Sequence, residues 1–218
     1  MAIEILKSSK TEIEKAKEES RVRSVVEESL SLIEEKGDQA VRSLTKKFDG
    51  CCPKSFQLTP SEIQAAVQKV SDRDMKDIKF AQKQIRNFAE LQLKSMEEIE
   101  IETLPGVILG HKNLPVQSVG CYIPAGKFPL VAAANMSVLT ASVAGVPRII
   151  ACTPPSVKGP HPAIIAAMHL AGANEIYMLG GIQAVGAMAV GTESIKPVDM
   201  LVGPGNAFVA EAKRQLFG

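Results

Sequence analysis

Residues 175–218 read EIYMLGGIQAVGAMAVGTESIKPVDMLVGPGNAFVAEAKRQLFG. Two short apolar runs, "EIYM" and "DMLV", each break into a glycine-rich turn, Gly180-Gly181 and Gly203-Pro204-Gly205. Each turn opens a helix-compatible segment, "IQAVGAMAVGTES" and "AFVAEAKRQ". Strand, glycine-rich turn and helix in that order is a junction where α/β proteins hold ligands. Two such junctions in succession set the question for the rest of the chain.

Toward the N-terminus the unit repeats. "SVGCYIP" and "RIIACTPP" are further apolar runs ending in Gly or Pro, and "LVAAANMSVLTASVAG" and "HPAIIAAMHLAGA" are Ala-rich helical stretches between them. The repeat is about 25 to 30 residues, the length of a βα unit. Strands are therefore expected near Gly120–Ile123, Ile149–Cys152, Ile176–Leu179 and Met200–Val202. Near-continuous apolar strands alternating with helices predict a parallel sheet covered on both faces. Right-handed crossovers bring the carboxyl ends of all its strands to one edge.

That edge carries Tyr122-Ile123-Pro124-Ala125-Gly126, Cys152-Thr153-Pro154-Pro155, Gly180-Gly181-Ile182-Gln183 and Gly203-Pro204-Gly205-Asn206. Glycines let a ligand approach the backbone and leave helix N–H groups free for an anion. The Gln183 and Asn206 amides suit a ribose, an amide or a phosphate, and Tyr122 offers a flat face and a hydroxyl. A plainer reading stays open beside this one: ordinary βα turns, with the amides as helix caps. No G-x-G-x-x-G is present, so the usual dinucleotide fingerprint plays no part.

Before about residue 115 the chain is charged and helical. Thr11 and Glu14 form a capping-box pattern, and Val22, Val25, Val26, Leu30 and Ile33 keep one apolar face. Gly37 is expected to end that helix and Asp38 to cap a shorter one carrying Val41, Leu44 and Phe48. "FDGCCPKSF" reads as a loop, and Thr59-Pro60-Ser61-Glu62 as a helix start. Asp72 to Leu93 reads as helix with Ile78, Ala81, Ile85, Phe88 and Leu91 on its face. "IEIETLPGVILGHKNLPV" alternates and turns at Pro105-Gly106, as a β-hairpin near 98–114.

Composition excludes several classes. A net charge of +1 gives no electrostatic case for nucleic acid or an anionic membrane surface as partner. No run of about 18 apolar residues exists to span a membrane. Cys51 and Cys52 are adjacent, and Cys121 and Cys152 lie in strand-like runs, so a disulfide framework is not expected and a reducing cytoplasm is. The N-terminal "MAIEILKSSKTEIEKAKEES" has no apolar core of a signal peptide. His111, His161 and His169 are too scattered to make a three-ligand zinc site. Glu175, Glu193, Asp199 and Glu211 read as strand-flank, loop and solvated-helix carboxylates rather than a catalytic base.

"VGCYIPAGKFPL", "VAGVPRIIACTPP" and residues 171–218 resemble the N-terminal half of the histidinol dehydrogenase family, and "GDQAVRSLTKKFDG" is similar to its N-terminal region. The resemblance runs from about residue 20 to the end and is densest over 174–218. It implies an α/β chain with a helical N-terminal part and hairpin over 1–117, an incomplete first domain. A Rossmann-like NAD-binding layer over 118–218 follows, incomplete at its C-terminus. It implies NAD- and zinc-dependent oxidation of an alcohol to a carboxylate through an aldehyde, as from L-histidinol to L-histidine, by an enzyme that is a homodimer when complete. Tyr122, Gln183 and Asn206 fall on the family's NAD-contacting positions. The family's zinc ligands and its Glu-His acid–base pair fall beyond residue 218, so this chain by itself is expected to bind cofactor but not turn over. Two departures stand out, the first a loss of backbone freedom and the second bearing on the substrate. Ala125 replaces a glycine of the Tyr-Ile-Pro-Gly-Gly motif, and "KFPLVAAANMSVLTASVAGV" looks closer to the branch that oxidises alcohols such as 2,3-dihydroxypropanesulfonate. A non-catalytic nucleotide-binding or assembly module remains the other class of reading.

Overall fold

The structure, a computed structural model, describes residues 11–125 and 128–217. Its centre is a four-stranded parallel sheet of β3 (Ser118–Tyr122), β4 (Arg148–Thr153), β5 (Glu175–Met178) and β6 (Met200–Val202), in spatial order β5-β4-β3-β6. All three pairings are parallel, as the repeat predicts. Helices α4 (Val131–Val143), α5 (Pro162–Ala171) and α6 (Gly181–Val190) connect the strands, and α7 (Ala207–Gln215) follows the last.

Alternate residues of each strand enter different cores. Val119, Cys121, Ile149, Ala151, Ile176 and Met178 face the side covered by α4 and α5. Tyr122, Ile150, Cys152 and Tyr177 face the side covered by α6 and α7. Burial on both faces is why these strands are almost wholly apolar rather than alternating with polar residues. It also pushes the Cys121 thiol up to about 12, and among the described residues all four cysteines are free.

Helix α1 (Glu12–Asp49) completes the second face, laying Val22, Val26, Leu30 and Ile33 against α6 and α7. Its Thr11–Glu14 capping box is formed. Gly37, at φ 50° and ψ −131°, breaks the helical path but does not end the run, and the chain resumes as helix to Asp49. Only a glycine reaches this φ without strain. The new helix start is held from outside: the Asp38 N–H donates to Glu193 Oε2 at 2.7 Å, and the Ser194 hydroxyl donates to the Asp38 carboxylate. Glu193, placed in a loop, is thus a cap supplied from across the molecule.

Helices α2 (Pro60–Gln68) and α3 (Asp72–Lys94) lie on the opposite side, over α5 and α4. The range expected for α3 is correct, but its buried seam differs. Phe88 and Leu91 are 64% and 62% exposed, while Ile78, Gln82 and Ala89 are buried. The polar seam residue has partners: Gln82 Nε2 donates to Asn135 Oδ1 at 2.9 Å and to the Ala167 carbonyl at 3.0 Å. Strands β1 (Ile99–Leu104) and β2 (Val107–His111) form the expected antiparallel hairpin, exposed along its whole length. The segment around Phe56 pairs with the outer edge of β5 through Met178 N–H to Phe56 O and Leu58 N–H to Ile176 O, which blunts that edge.

Candidate functional site

In chain order the sheet reads third, second, first, fourth strand, so the connection reverses direction between β3 and β6. Open α/β sheets bind ligands at the carboxyl side of such a reversal, because the helices leaving in opposite directions open a crevice there. Gly203, immediately after β6, has φ 119°, and a Cβ on it would collide with the backbone carbonyl of Tyr122 at the end of β3. The two strand ends meet this closely only because residue 203 has no side chain.

A cavity of about 430 Å³ opens at this edge. Gln183 and Asn206 both line it, with Gly181 and Pro154 from neighbouring strand ends and Phe48 and Asp49 from the end of α1. Its size lies within the roughly 300–1,000 Å³ of small-molecule sites. Tyr122 lies beneath, buried in the core, with its hydroxyl accepting the Gly181 N–H at 3.2 Å. That bond satisfies one first-turn donor of α6, which has no side-chain cap at Gly180. Burial is the main reason the Tyr122 phenol is raised above its ordinary value; the hydroxyl stays protonated and keeps its own hydrogen to donate.

The two amides play different parts. Asn206 is the N-cap of α7, its Oδ1 accepting the Val209 N–H at 3.1 Å, and the residue is exposed at the cavity. Its NH2 group remains available. Gln183 is fully buried; its Nε2 donates to Asp49 Oδ2 at 2.7 Å, and its Oε1 is buried with no hydrogen-bond partner. An orphaned buried acceptor is uncommon and asks for a donor. Asp49 itself is half-buried, and burial holds its carboxyl above the usual range, the Gln183 hydrogen bond pulling the other way.

Reading the sequence did not single out Asp49. It stands 134 positions from Gln183, in a stretch that reads as the charged end of a surface helix. The only available signal was its place in "GDQAVRSLTKKFDG".

The other carboxylates have structural partners. Glu175 binds Arg148 Nε at 2.7 Å and accepts from the Tyr177 hydroxyl, Asp199 accepts from the Ser118 hydroxyl, and Glu211 pairs with Arg214. The histidines do not converge. His111 is on the exposed hairpin, His161 precedes α5, and His169 lies near Gln64. Among the described residues no group of three His, Cys, Asp or Glu side chains could hold a metal ion.

A larger groove of about 770 Å³ runs between α4 and β6. Its lining is aliphatic, and the Ser137 and Thr140 hydroxyls in it are turned back onto the carbonyls of Ala133 and Met136. It has no polar group to orient a ligand, so the smaller cavity is the candidate site.

The family model for histidinol dehydrogenase matches residues 12–218. The chain is 57% identical over 214 residues to a histidinol dehydrogenase homolog of Shouchella clausii, covering 98% of this chain and 50% of that protein. It is 44% identical to the sulfopropanediol 3-dehydrogenase of Ruegeria pomeroyi, covering all of this chain and 50% of that one. A crystal structure of histidinol dehydrogenase from Elizabethkingia anophelis superposes with a TM-score of 0.83 at 33% identity, over 98% of this chain and 46% of that one. The chain thus spans about half the length of the curated relatives it matches.

Proposed function

The chain belongs to the histidinol dehydrogenase family, and from that premise we propose that it is the NAD-binding part of an NAD- and zinc-dependent dehydrogenase that oxidises an alcohol to a carboxylate through an aldehyde. The observation that carries the reading is the cavity at the sheet's point of reversal. There the exposed Asn206 amide, the α6 start held by Tyr122 and the unpartnered Oε1 of Gln183 meet. These are the donors and acceptors that a dinucleotide's phosphates and sugar hydroxyls require.

NAD bound there supplies the hydride acceptor. The chain's own residues bind and orient it. The Asn206 NH2 and the first turn of α6, which has no side-chain cap, face its polar groups, while Phe48 and Phe208 flank the cavity with apolar surface. Zinc does not fit the described residues, which bring no three ligating side chains together. The carboxylate on the cavity lining, Asp49, is engaged by Gln183, and the lining shows no second group beside it to hold an alcohol. The prediction is therefore cofactor binding without turnover by this chain alone, since orientation accelerates a reaction only when both reactants are held.

The substrate class is a small alcohol. Histidinol and 2,3-dihydroxypropanesulfonate both remain within it, the second supported by the 44% identity to the sulfopropanediol enzyme. The setting is cytoplasmic, in keeping with four free thiols.

Calorimetric titration of the chain with NAD tests the reading. Binding is expected, with Asn206→Ser weakening it by about 1–3 kcal/mol through loss of an amide hydrogen bond while keeping a capping oxygen. No heat from NAD at any accessible concentration overturns it. So does NADH formation from either alcohol by the chain alone, because that would require a base and an alcohol site that the reading denies it.

A further inference from the structure

Helix α1 ends at Gly50, whose left-handed φ of 71° turns the chain off the helix axis and into Cys51-Cys52-Pro53. Both of these thiols are free and half-buried, whereas Cys121 and Cys152 are sealed in the sheet's core. Arg42 holds the turn in place. Its Nη1 donates to the Pro53 carbonyl at 3.1 Å and reaches Cys52 Sγ at 4.0 Å, and its Nη2 donates to the Lys54 carbonyl at 3.1 Å. The guanidinium also lies over the Phe56 ring, 4.5 Å from its centroid. Arg42 forms no ion pair among the described residues, so no carboxylate offsets its charge beside Cys52. Neither cysteine lines the candidate cavity.

Two adjacent thiols can close a direct disulfide, hold a metal cation, or share one neutral bridging atom. Geometry disfavours the first. The peptide between them is trans, which sets the two Cα atoms about 3.8 Å apart, short of the roughly 4.4–6.8 Å that disulfides span. Ligand count and charge disfavour the second. Structural zinc takes four protein ligands, among the described residues no third His, Cys, Asp or Glu joins the pair, and the Arg42 guanidinium repels a cation. A neutral bridging atom meets neither objection. At about 2.3 Å from each sulfur, the length of a metal–thiolate bond, it lets the sulfurs stand more than about 3 Å apart. Thiol sulfur selects soft centres. Trivalent arsenic is soft, is uncharged as its hydroxide, and needs only two sulfurs because it brings its third substituent with it.

We propose that Cys51 and Cys52 form a dithiol site that captures a neutral trivalent arsenical, an arsenous or organoarsenous acid, as a chelate through both sulfurs. Each sulfur forms one As–S bond. Two As–OH bonds break, and the hydroxides leave with the two thiol protons as two waters. Neither arsenic nor sulfur changes oxidation state, so no oxidant takes part. The site uses none of the cavity's lining residues and stands apart from the NAD reading.

The test treats the reduced full chain with phenylarsine oxide, which takes up water to become an organoarsenous acid. Native mass spectrometry is expected to find one phenylarsenic group per chain, with both half-buried thiols lost to a thiol reagent. The adduct should survive excess glutathione, a monothiol, and be released by 2,3-dimercaptopropanol, whose two sulfurs match the chelate. Cys51→Ser and Cys52→Ser are each expected to weaken retention against glutathione by at least about tenfold, because the second As–S bond is intramolecular. No adduct on wild type, or its removal by glutathione, overturns the inference without recourse to any variant. Either serine variant that keeps the label as wild type does also overturns it. Zinc ion at the same concentration is expected to leave the thiols reactive; protection by zinc equal to that by the arsenical overturns the choice of a neutral ligand. Far-UV circular dichroism of both variants confirms that the fold is kept.

Discussion

Asp49 lines the candidate cavity at a cost to the fold. Burial, only partly offset by the Gln183 hydrogen bond, holds its folded-state pKa above the unfolded value. The ionised form is therefore the one that folding disfavours. The penalty is absent well below the ordinary carboxylate range, grows as pH rises from that range to the raised folded pKa, and is complete above it. Asp49→Asn keeps the shape and an oxygen for Gln183 but carries no charge. The variant is expected to melt higher than wild type at pH 7, with the difference closing as the buffer is taken down through the acid range. Thermal melts at a series of pH values check this; a variant less stable than wild type at neutral pH sinks it. A residue that weakens stability while it lines a cavity follows the trade-off expected of functional sites.

Among the elements, α3 shows how a polar side chain enters a helical seam. Ile78, Gln82, Ile85 and Ala89 follow the spacing that faces a partner helix. Gln82 is tolerated there because both hydrogens of its amide are used, on Asn135 of α4 and on the Ala167 carbonyl of α5. Replacing it with leucine strips two buried acceptors of their donor. Gln82→Leu is expected to lower unfolding stability by about 1–3 kcal/mol. Adding Asn135→Leu removes one of the stranded groups, so the double variant should cost less than the sum of the two single ones. Urea denaturation of the four proteins measures this, and strictly additive losses would show that the pair is not coupled.

For the whole molecule, the feature with the largest consequence is the hairpin. Ile99, Ile101, Val107, Ile108 and Leu109 are all exposed, and Ile101 lies directly across from Leu109. Clustered exposed apolar side chains of this kind mark adhesive surfaces. The chain in isolation is expected to self-associate at micromolar concentration and to bind a hydrophobic dye, and Ile101→Lys with Leu109→Lys to reduce both. Light scattering behind a sizing column gives the result. A clean 23.3 kDa monomer that leaves the dye dark would mean the hairpin face is not adhesive.

What the sequence determined by itself was whatever depends on near neighbours. The four strands, the parallel sheet, the hairpin turn at Pro105-Gly106 and the caps at Thr11 and Thr59 all follow from periodicity and turn chemistry acting over a few residues. Gln183 and Asn206 were legible because they stand directly after glycine turns at strand ends, which any parallel sheet brings to one edge. The tertiary structure alone decided what depends on which surfaces meet. The path of α1 across α6 brought Asp49 to Gln183, and Glu193 to the break at Gly37. The packing of α3 on α4 chose a seam through Gln82 and left Phe88 and Leu91 in solvent, although their spacing alone fits a buried stripe equally well. An apolar period says that a face wants a partner, but which face finds one is settled by the shape of the elements already in place.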